Sequence, residues 1–342
     1  MVSLPSARKQ DARTSRPNII AMVWAPEENR TATYARFLNA PLFNIHYLLY
    51  KRPFVAPLKY IAQALKTWWV LARHRPRFVY ITNPPAFAPL CVYLYCKFTR
   101  TRYIMDTHSP ALFSRRWGWT LPLQRFLAKR ATMNIVDQQR FEALFESWGA
   151  PAMVLEKPPT NLANRHLQHI GDSTVFEITV INTFAVDEPV DIILEAARRL
   201  PEARFYVLGD TRHANPEDLR NTPSNVVFTD YLLGDDYWNR LYSSRAVMAL
   251  TTYPFSLLAG AQDGGAVGRP LILSRQPALT EYFPRGAVFI DNTVDGIVAG
   301  VREMMAHEDT LTAEIHEMVE VQKHAWEQQF RTLNDLIALG SG

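Results

Sequence analysis

Asp106 and His108 stand two residues apart at the end of a short apolar run, Arg102-Tyr103-Ile104-Met105-Asp106. A carboxylate beside an imidazole suits proton transfer at neutral pH, because the ring titrates there and the acid can orient it and stabilise its cation. The pattern makes these the candidate catalytic residues, with Asp106 as base or orienter. Their plainer uses are a helix N-cap and a loop hydrogen bond. Glu27 and Glu28 follow another apolar run and are the rival bases, and Arg30 beside them is a candidate phosphate contact. Asn83 opens an Asn-Pro-Pro turn, which reads equally as a substrate contact and as a strand terminator.

These positions share one property: each lies just past a run that reads as a β-strand. Short apolar runs alternate with longer segments of helical period, the pattern of a parallel sheet wrapped by helices, and the pattern occurs twice. The first set of strands is expected near Ile19–Trp24, Phe43–Tyr47, Phe78–Thr82, Arg102–Asp106, Met133–Val136 and Met153–Glu156. The second is expected near Phe176–Asn182, Phe205–Leu208, Val226–Phe228, Val247–Thr251, Pro270–Ser274 and Val288–Ile290, with a helix over Val190–Leu200.

The fold class is therefore α/β with two Rossmann-like domains, at residues 18–157 and 175–310. A basic tail (1–17) precedes them, a hinge (158–174) joins them, and an acidic helix (311–342) can cross back to the first domain. In such sheets ligands sit beyond the carboxyl ends of the strands. That rule selects Thr183, Asp210, Tyr231, Ser256 and Asp263 in the second half, Asp263 being placed just before a Gly-rich helix.

Several chemistries lack their signatures. No Gly-x-Gly-x-x-Gly and no Gly-x4-Gly-Lys-Ser/Thr occurs, so the phosphate cradles of nicotinamide enzymes and P-loop phosphotransferases are missing. There is no Asp-x-Asp, no His/Cys cluster at ligand spacing and no Gly-x-Ser-x-Gly elbow. No metal and no cofactor is expected. A diphosphate would be held by backbone amides at helix N-termini and by basic side chains.

The chain has 342 residues and a net charge of only +4, which conceals an asymmetry. Residues 1–150 carry 22 Lys and Arg against 7 Asp and Glu, whereas the remainder carries 15 against 26. The first half thus faces an anionic partner. Lys59, Lys66, Trp68, Trp69 and Arg73 interleave bases and aromatics at helical spacing, as an interfacial helix on an anionic membrane does. The same spacing also permits Leu65, Trp68, Trp69 and Leu71 to form a core face. Residues 78–96 carry no charge, but prolines at 84, 85 and 89 argue against a membrane span, and the first 17 residues lack the apolar core of a signal peptide. A protein working where it is made, peripheral to the cytoplasmic face of the inner membrane, is the expectation.

The second half resembles the donor domain of GT-B glycosyltransferases. The resemblance is carried by Val180-Ile181-Asn182-Thr183, Leu200-Pro201, Phe205-Tyr206-Val207-Leu208-Gly209 and the Gly-x-Pro turn Gly268-Arg269-Pro270. The first half is similar to the beta-mannosyltransferases acting on lipid-linked chitobiose, through Asn83-Pro84-Pro85 and Asp106-Thr107-His108, and in the second half Thr183–Asp191, with Asp187-Glu188, resembles their stretch after the first donor-domain strand. Bacterial polysaccharide glycosyltransferases share the general pattern.

The resemblance implies two Rossmann-like domains facing across a cleft, and transfer from a nucleotide-sugar donor to a lipid-linked, polyprenyl-diphosphate glycan acceptor. Asp106 would act as base or orienter, His108 would touch the donor sugar or its phosphate, and Asp263 would bind the nucleotide ribose. The larger retaining family has an Arg and a Lys where this chain has Thr183 and Glu188, and a Glu-x7-Glu pair where it has Phe255 and Asp263. Those departures favour an inverting, metal-independent reaction. They also leave room for a non-catalytic GT-B protein that binds a nucleotide or recruits a partner. A nucleic-acid-binding protein ranks third, and no nucleic acid is expected as partner.

Overall fold

Twelve apolar runs pair into two parallel six-stranded sheets in the computed structural model. It describes residues 17–26, 28–47, 56–162, 165–170 and 174–339. The chain divides into two units, Met1–Glu156 with Gln329–Gly342, and Lys157–Gln328.

In the first unit the strands are β1 (Ile19–Val23), β2 (Leu42–Asn44), β3 (Phe78–Asn83), β4 (Arg102–Thr107), β5 (Met133–Val136) and β6 (Ala152–Val154). Their order is β2-β1-β3-β4-β5-β6. Every residue of β1 and β3 is buried, as expected of parallel strands covered on both faces. Helices Asn29–Phe37, Ala56–His74, Phe87–Lys97, Leu121–Ala128 and Gln139–Ser147 connect them. At the end of the chain Phe330 packs edge-on against Phe37, with centroids 5.6 Å apart, and Gln329 accepts from the Glu156 amide at 3.1 Å.

The second unit contains β7 (Phe176–Ile181), β8 (Ala203–Leu208), β9 (Val226–Asp230), β10 (Ala246–Ala249), β11 (Leu271–Ser274) and β12 (Ala287–Ile290). The order β12-β11-β10-β7-β8-β9 reverses direction between β7 and β10, which makes that edge the ligand crevice of a Rossmann sheet. Helix Ala259–Ala266 presses onto this region. A Cβ on Gly260 would stand 2.6 Å from Ile181, and one on Gly264 2.8 Å from Val247 and 2.9 Å from Leu271. The glycines cost helix propensity and gain close contact. The helix closes in a Schellman motif: Gly268, at φ +73°, donates to Gly265 at 2.8 Å, and Arg269 to Gly264 at 3.1 Å.

Helical residues run over Val294–Leu339 but break at His307, whose φ of −124° is not helical, so the last helix begins just past it, near the expected 311. Two expectations change. Asp263 lies inside helix Ala259–Ala266, whose N-cap is Leu258, so it neither precedes nor caps that helix. The described part of the expected hinge belongs to the second unit and follows helix Gly234–Ser243: Arg165 pairs with Asp235 at 2.5 Å, and Ile170 donates to Ser243 at 2.6 Å. Most of the basic tail, and Lys51 and Arg52, lie outside the described residues.

Candidate active site

In the first unit the site is built around a carboxylate that has left water. Asp106 is the fifth residue of β4 and its side chain is completely buried. Such a charge persists only when paired. Arg30 supplies the pair, with Nη2 3.1 Å from Oδ1 and Nε donating to Oδ2 at 3.3 Å. His108, the first residue past β4, brings Nε2 within 3.4 Å of Oδ2. Tyr80 is buried beside them, on β3.

Burial alone would raise the Asp106 pKa. The Arg30 guanidinium and His108 overcome that and hold the carboxyl at about 2. For His108, burial favours the neutral ring, but the adjacent Asp106 carboxylate wins and the pKa is raised. Burial and the same carboxylate raise the Tyr80 phenol well above its usual range.

Arg30 is fixed from three directions. Glu28 caps helix Asn29–Phe37 by accepting from the amides of Arg30 at 3.0 Å and Thr31 at 2.5 Å. Arg30 Nη2 also donates to the Leu155 carbonyl at 3.1 Å, and its guanidinium lies 5.3 Å from the Tyr34 ring centroid. The guanidinium expected at a phosphate is therefore engaged with Asp106, and the rival base Glu28 is engaged as a cap. Glu27 lies outside the described residues.

Asn83 is fully buried, and its amide donates to Thr107 at 3.3 Å and Gln124 at 2.9 Å. Its backbone carbonyl accepts from the His108 amide at 2.9 Å. It ties the ends of β3 and β4 together and sets the backbone from which His108 projects. His108 is the group that keeps access, with 22% of its side chain exposed against none for Asp106.

In the second unit the loop after β7 is organised by its own carboxylates. Glu188 Oε2 accepts from the Thr183 amide at 2.6 Å, the Thr183 hydroxyl at 2.9 Å and the Ala185 amide at 3.2 Å. Thr183 and Glu188, the two departures from the basic pair, thus bind each other. Asp187 receives the Thr251 hydroxyl at 2.5 Å and latches the ends of β7 and β10 across the crevice. Thr251 is held in turn by Ser274 at 2.9 Å and Asn292 at 2.9 Å.

The other expected donor contacts are dispersed. Asp210 is taken by Arg212, at 2.8 Å from Nε and 2.6 Å from Nη2, and those hydrogen bonds hold its pKa at about 2. Tyr231 is two-thirds exposed, and Ser256 is partly exposed in the loop before helix Ala259–Ala266. Asp263 accepts from Tyr237 at 3.0 Å and Thr160 at 3.3 Å, with Lys157 at 3.7 Å. Tyr80, Tyr237 and the Asp187–Thr251 latch were not singled out from sequence as site residues. The Asp187-Glu188 match and the position of Thr251 at a strand end pointed toward the latch. Among the described residues no three His, Cys, Asp or Glu side chains group as a metal site requires.

Residues 190–335 match the family described as "Glycosyl transferase-like". Among solved structures, sucrose-phosphate synthase from Thermosynechococcus elongatus superposes with a TM-score of 0.73 at 11% identity, covering 94% of this chain and 100% of that one. The fold is that of GT-B proteins, and the glycosyl transferase-like match lies within its second half. A glycosyltransferase from Rickettsia africae ESF-5 gives 0.70 at 11% identity over 95% and 99% of the two chains. Anabaena HepE in complex with UDP gives 0.68 at 14% identity over 94% and 98%. No curated protein matches. The specific likeness to chitobiose mannosyltransferases rests on the quoted motifs alone.

Proposed function

We propose that this GT-B glycosyltransferase moves a sugar from a nucleotide-sugar donor to a polyprenyl-diphosphate-linked glycan, with inversion and without a metal, on the cytoplasmic face of an anionic membrane. The observation that carries the chemistry is a partly exposed His108 backed by the fully buried, ionised Asp106. Asp106 has no access to an acceptor and is committed to Arg30, so the role of base passes to His108. Nε2 faces the carboxylate, which leaves Nδ1 to take the acceptor hydroxyl proton. Asp106 holds the ring and stabilises the imidazolium that forms. Asp106 is then a positioning residue and His108 the catalytic one.

The donor is read at the crevice between β7 and β10. Backbone amides, the Thr183 loop and Asp263 are its expected contacts there, and the diphosphate is held by dipoles rather than by a metal. HepE was crystallised with UDP and with UDP-glucose, which makes UDP-sugars the first donors to test. The test is transfer of labelled sugar to a lipid-linked glycan by wild type and by His108→Ala. A loss of about 10²- to 10⁴-fold in the variant is expected for a general base.

One observation favours a second reading. Glu188 occupies amides that would be free to meet a phosphate, as in a protein that binds a partner without turnover. Function that survives His108→Ala would select it.

A further inference from the structure

Residues 29–136 contain 17 Lys and Arg and a single acid, Asp106. That acid is completely buried. Over this stretch of the first unit the described surface carries bases and no carboxylate.

Helix Ala56–His74 sorts its side chains into three rows. Gln63, Thr67, Val70 and Leu71 are buried against the unit, with Gln63 donating to the Ile45 carbonyl at 2.7 Å and Thr67 accepting from Trp24 at 2.9 Å. Leu58, Ile61, Leu65 and Trp69 form a second row, exposed by 73%, 58%, 67% and 59%. At about 3.6 residues per turn these positions fall along one stripe. Lys59, Lys66 and Arg73, seven residues apart, run along its flank, and Lys66 Nζ sits 4.0 Å from the Trp69 ring centroid.

The neighbouring helix Phe87–Lys97 continues the stripe on its other side. Trp68, 41% exposed, donates to the Cys91 carbonyl at 3.0 Å. Leu94 and Phe98 emerge one and two turns beyond Cys91, Phe98 being 82% exposed. Of the four residues that share a core-face reading from sequence, only Leu71 is buried. An apolar row of this length left in water is a docking face.

We propose that this face seats the first unit on an anionic lipid bilayer, Leu58, Ile61, Leu65, Trp69 and Phe98 entering the acyl boundary while Lys59, Lys66 and Arg73 lie at the phosphates. The proposal deepens the reading of a lipid-borne acceptor and rests on it. Charge selects the occupant. A second copy of the chain would set one basic face against another, whereas anionic headgroups complement the bases and the acyl region takes the apolar row.

The test is co-sedimentation of the full chain with phosphatidylcholine vesicles, with and without phosphatidylglycerol. Binding is expected with phosphatidylglycerol only, and to weaken with salt. Each base near the surface is worth about fivefold, so Lys59→Ser/Lys66→Ser/Arg73→Ser together lower affinity about a hundredfold. Ile61→Ser/Leu65→Ser, at exposed positions that leave the core intact, lowers it about tenfold or more. The same double variant keeps wild-type transfer to a lipid-free, water-soluble acceptor, so a failure of the membrane face and a failure of the enzymatic reading give different results. Two outcomes overturn the proposal: no preference for anionic vesicles, or affinity unchanged in Ile61→Ser/Leu65→Ser. If that double variant also binds RNA as tightly as wild type does, the face is a polyanion site instead.

Discussion

Replacing Asp106 by Asn removes one charge and keeps the side chain's size, so its effect on His108 is a direct probe of the site. In the wild type the imidazole pKa is raised because the carboxylate outweighs burial. Once Asn stands there, burial and the Arg30 guanidinium both lower it, against only the smaller pull of the Glu28 carboxylate. A base must be neutral to accept a proton. The wild-type acid limb of kcat/KM therefore lies above pH 6.5, and in the variant it moves below.

The plateau falls as well. A unit charge pair at about 4 Å is worth about 4 kcal/mol at an effective dielectric of 20, and a tenfold rate change is about 1.4 kcal/mol. His108 Nε2 lies 3.4 Å from Asp106, while Arg30 offsets part of that attraction, so a loss of about 10²- to 10³-fold is expected at high pH. Sugar transfer measured from pH 5 to 9 reads both effects. The variant also leaves Arg30 without its counter-charge, which costs about 3–5 kcal/mol, and thermal unfolding must show that it is folded at the assay temperature. Arg30→Gln/Asp106→Asn removes both charges and serves as the folded comparison. An acid limb that stays in place in a folded variant would refute the assignment of Asp106 to His108.

Four further outcomes follow from the same contacts. Asp106 falls from an ordinary 3.8 to about 2 on folding, which contributes about 2 kcal/mol of stability above pH 4, lost as pH falls toward 2; denaturant titrations of wild type from pH 6 to 2 should show it. Glu177 and Arg240 form a buried pair, with Tyr206 donating to Glu177 at 3.1 Å, so Glu177→Ala strands a guanidinium and should cost about 3–5 kcal/mol by urea unfolding. Gly264→Ala places a methyl 2.8 Å from Val247 and should destabilise the second unit by about 1–3 kcal/mol. Glu188→Ala frees the amides of Thr183 and Ala185 and removes a carboxylate from the place expected for the donor phosphates, so it should lower the donor KM about tenfold, with little change in melting temperature; calorimetry of donor binding separates the two effects.

Strand positions were legible because each is a short apolar run: Ile19–Val23, Phe78–Asn83, Ala246–Ala249 and Leu271–Ser274 are buried throughout. Helix limits were less legible. The Gly-rich segment hid the start of helix Ala259–Ala266, since tertiary contact with Ile181 and Val247 overrides its poor propensity. At the site, Asp106 and His108 could be picked from type and position at a strand end. Their proposed division of labour could not, because it depends on Arg30, 76 residues away along the chain, reaching Asp106. The contacts of Arg30 and Glu28 were hidden for the same reason: long-range pairing engages Arg30 with Asp106, and local capping engages Glu28. The exposed row on helix Ala56–His74 could be read as core or membrane face until burial distinguished Leu71 from Leu65 and Trp69.

That the second unit holds a nucleotide-sugar is tested most directly by thermal unfolding of the full chain against UDP-, GDP- and dTDP-sugars with their free nucleotides. At 100 times its dissociation constant a bound ligand adds about 2.7 kcal/mol, which in a unit of this size raises the midpoint by about 5–10 °C. That rise is expected with one nucleotide family, UDP first, and a larger rise in Glu188→Ala. A midpoint unmoved by every donor and every nucleotide would contradict it.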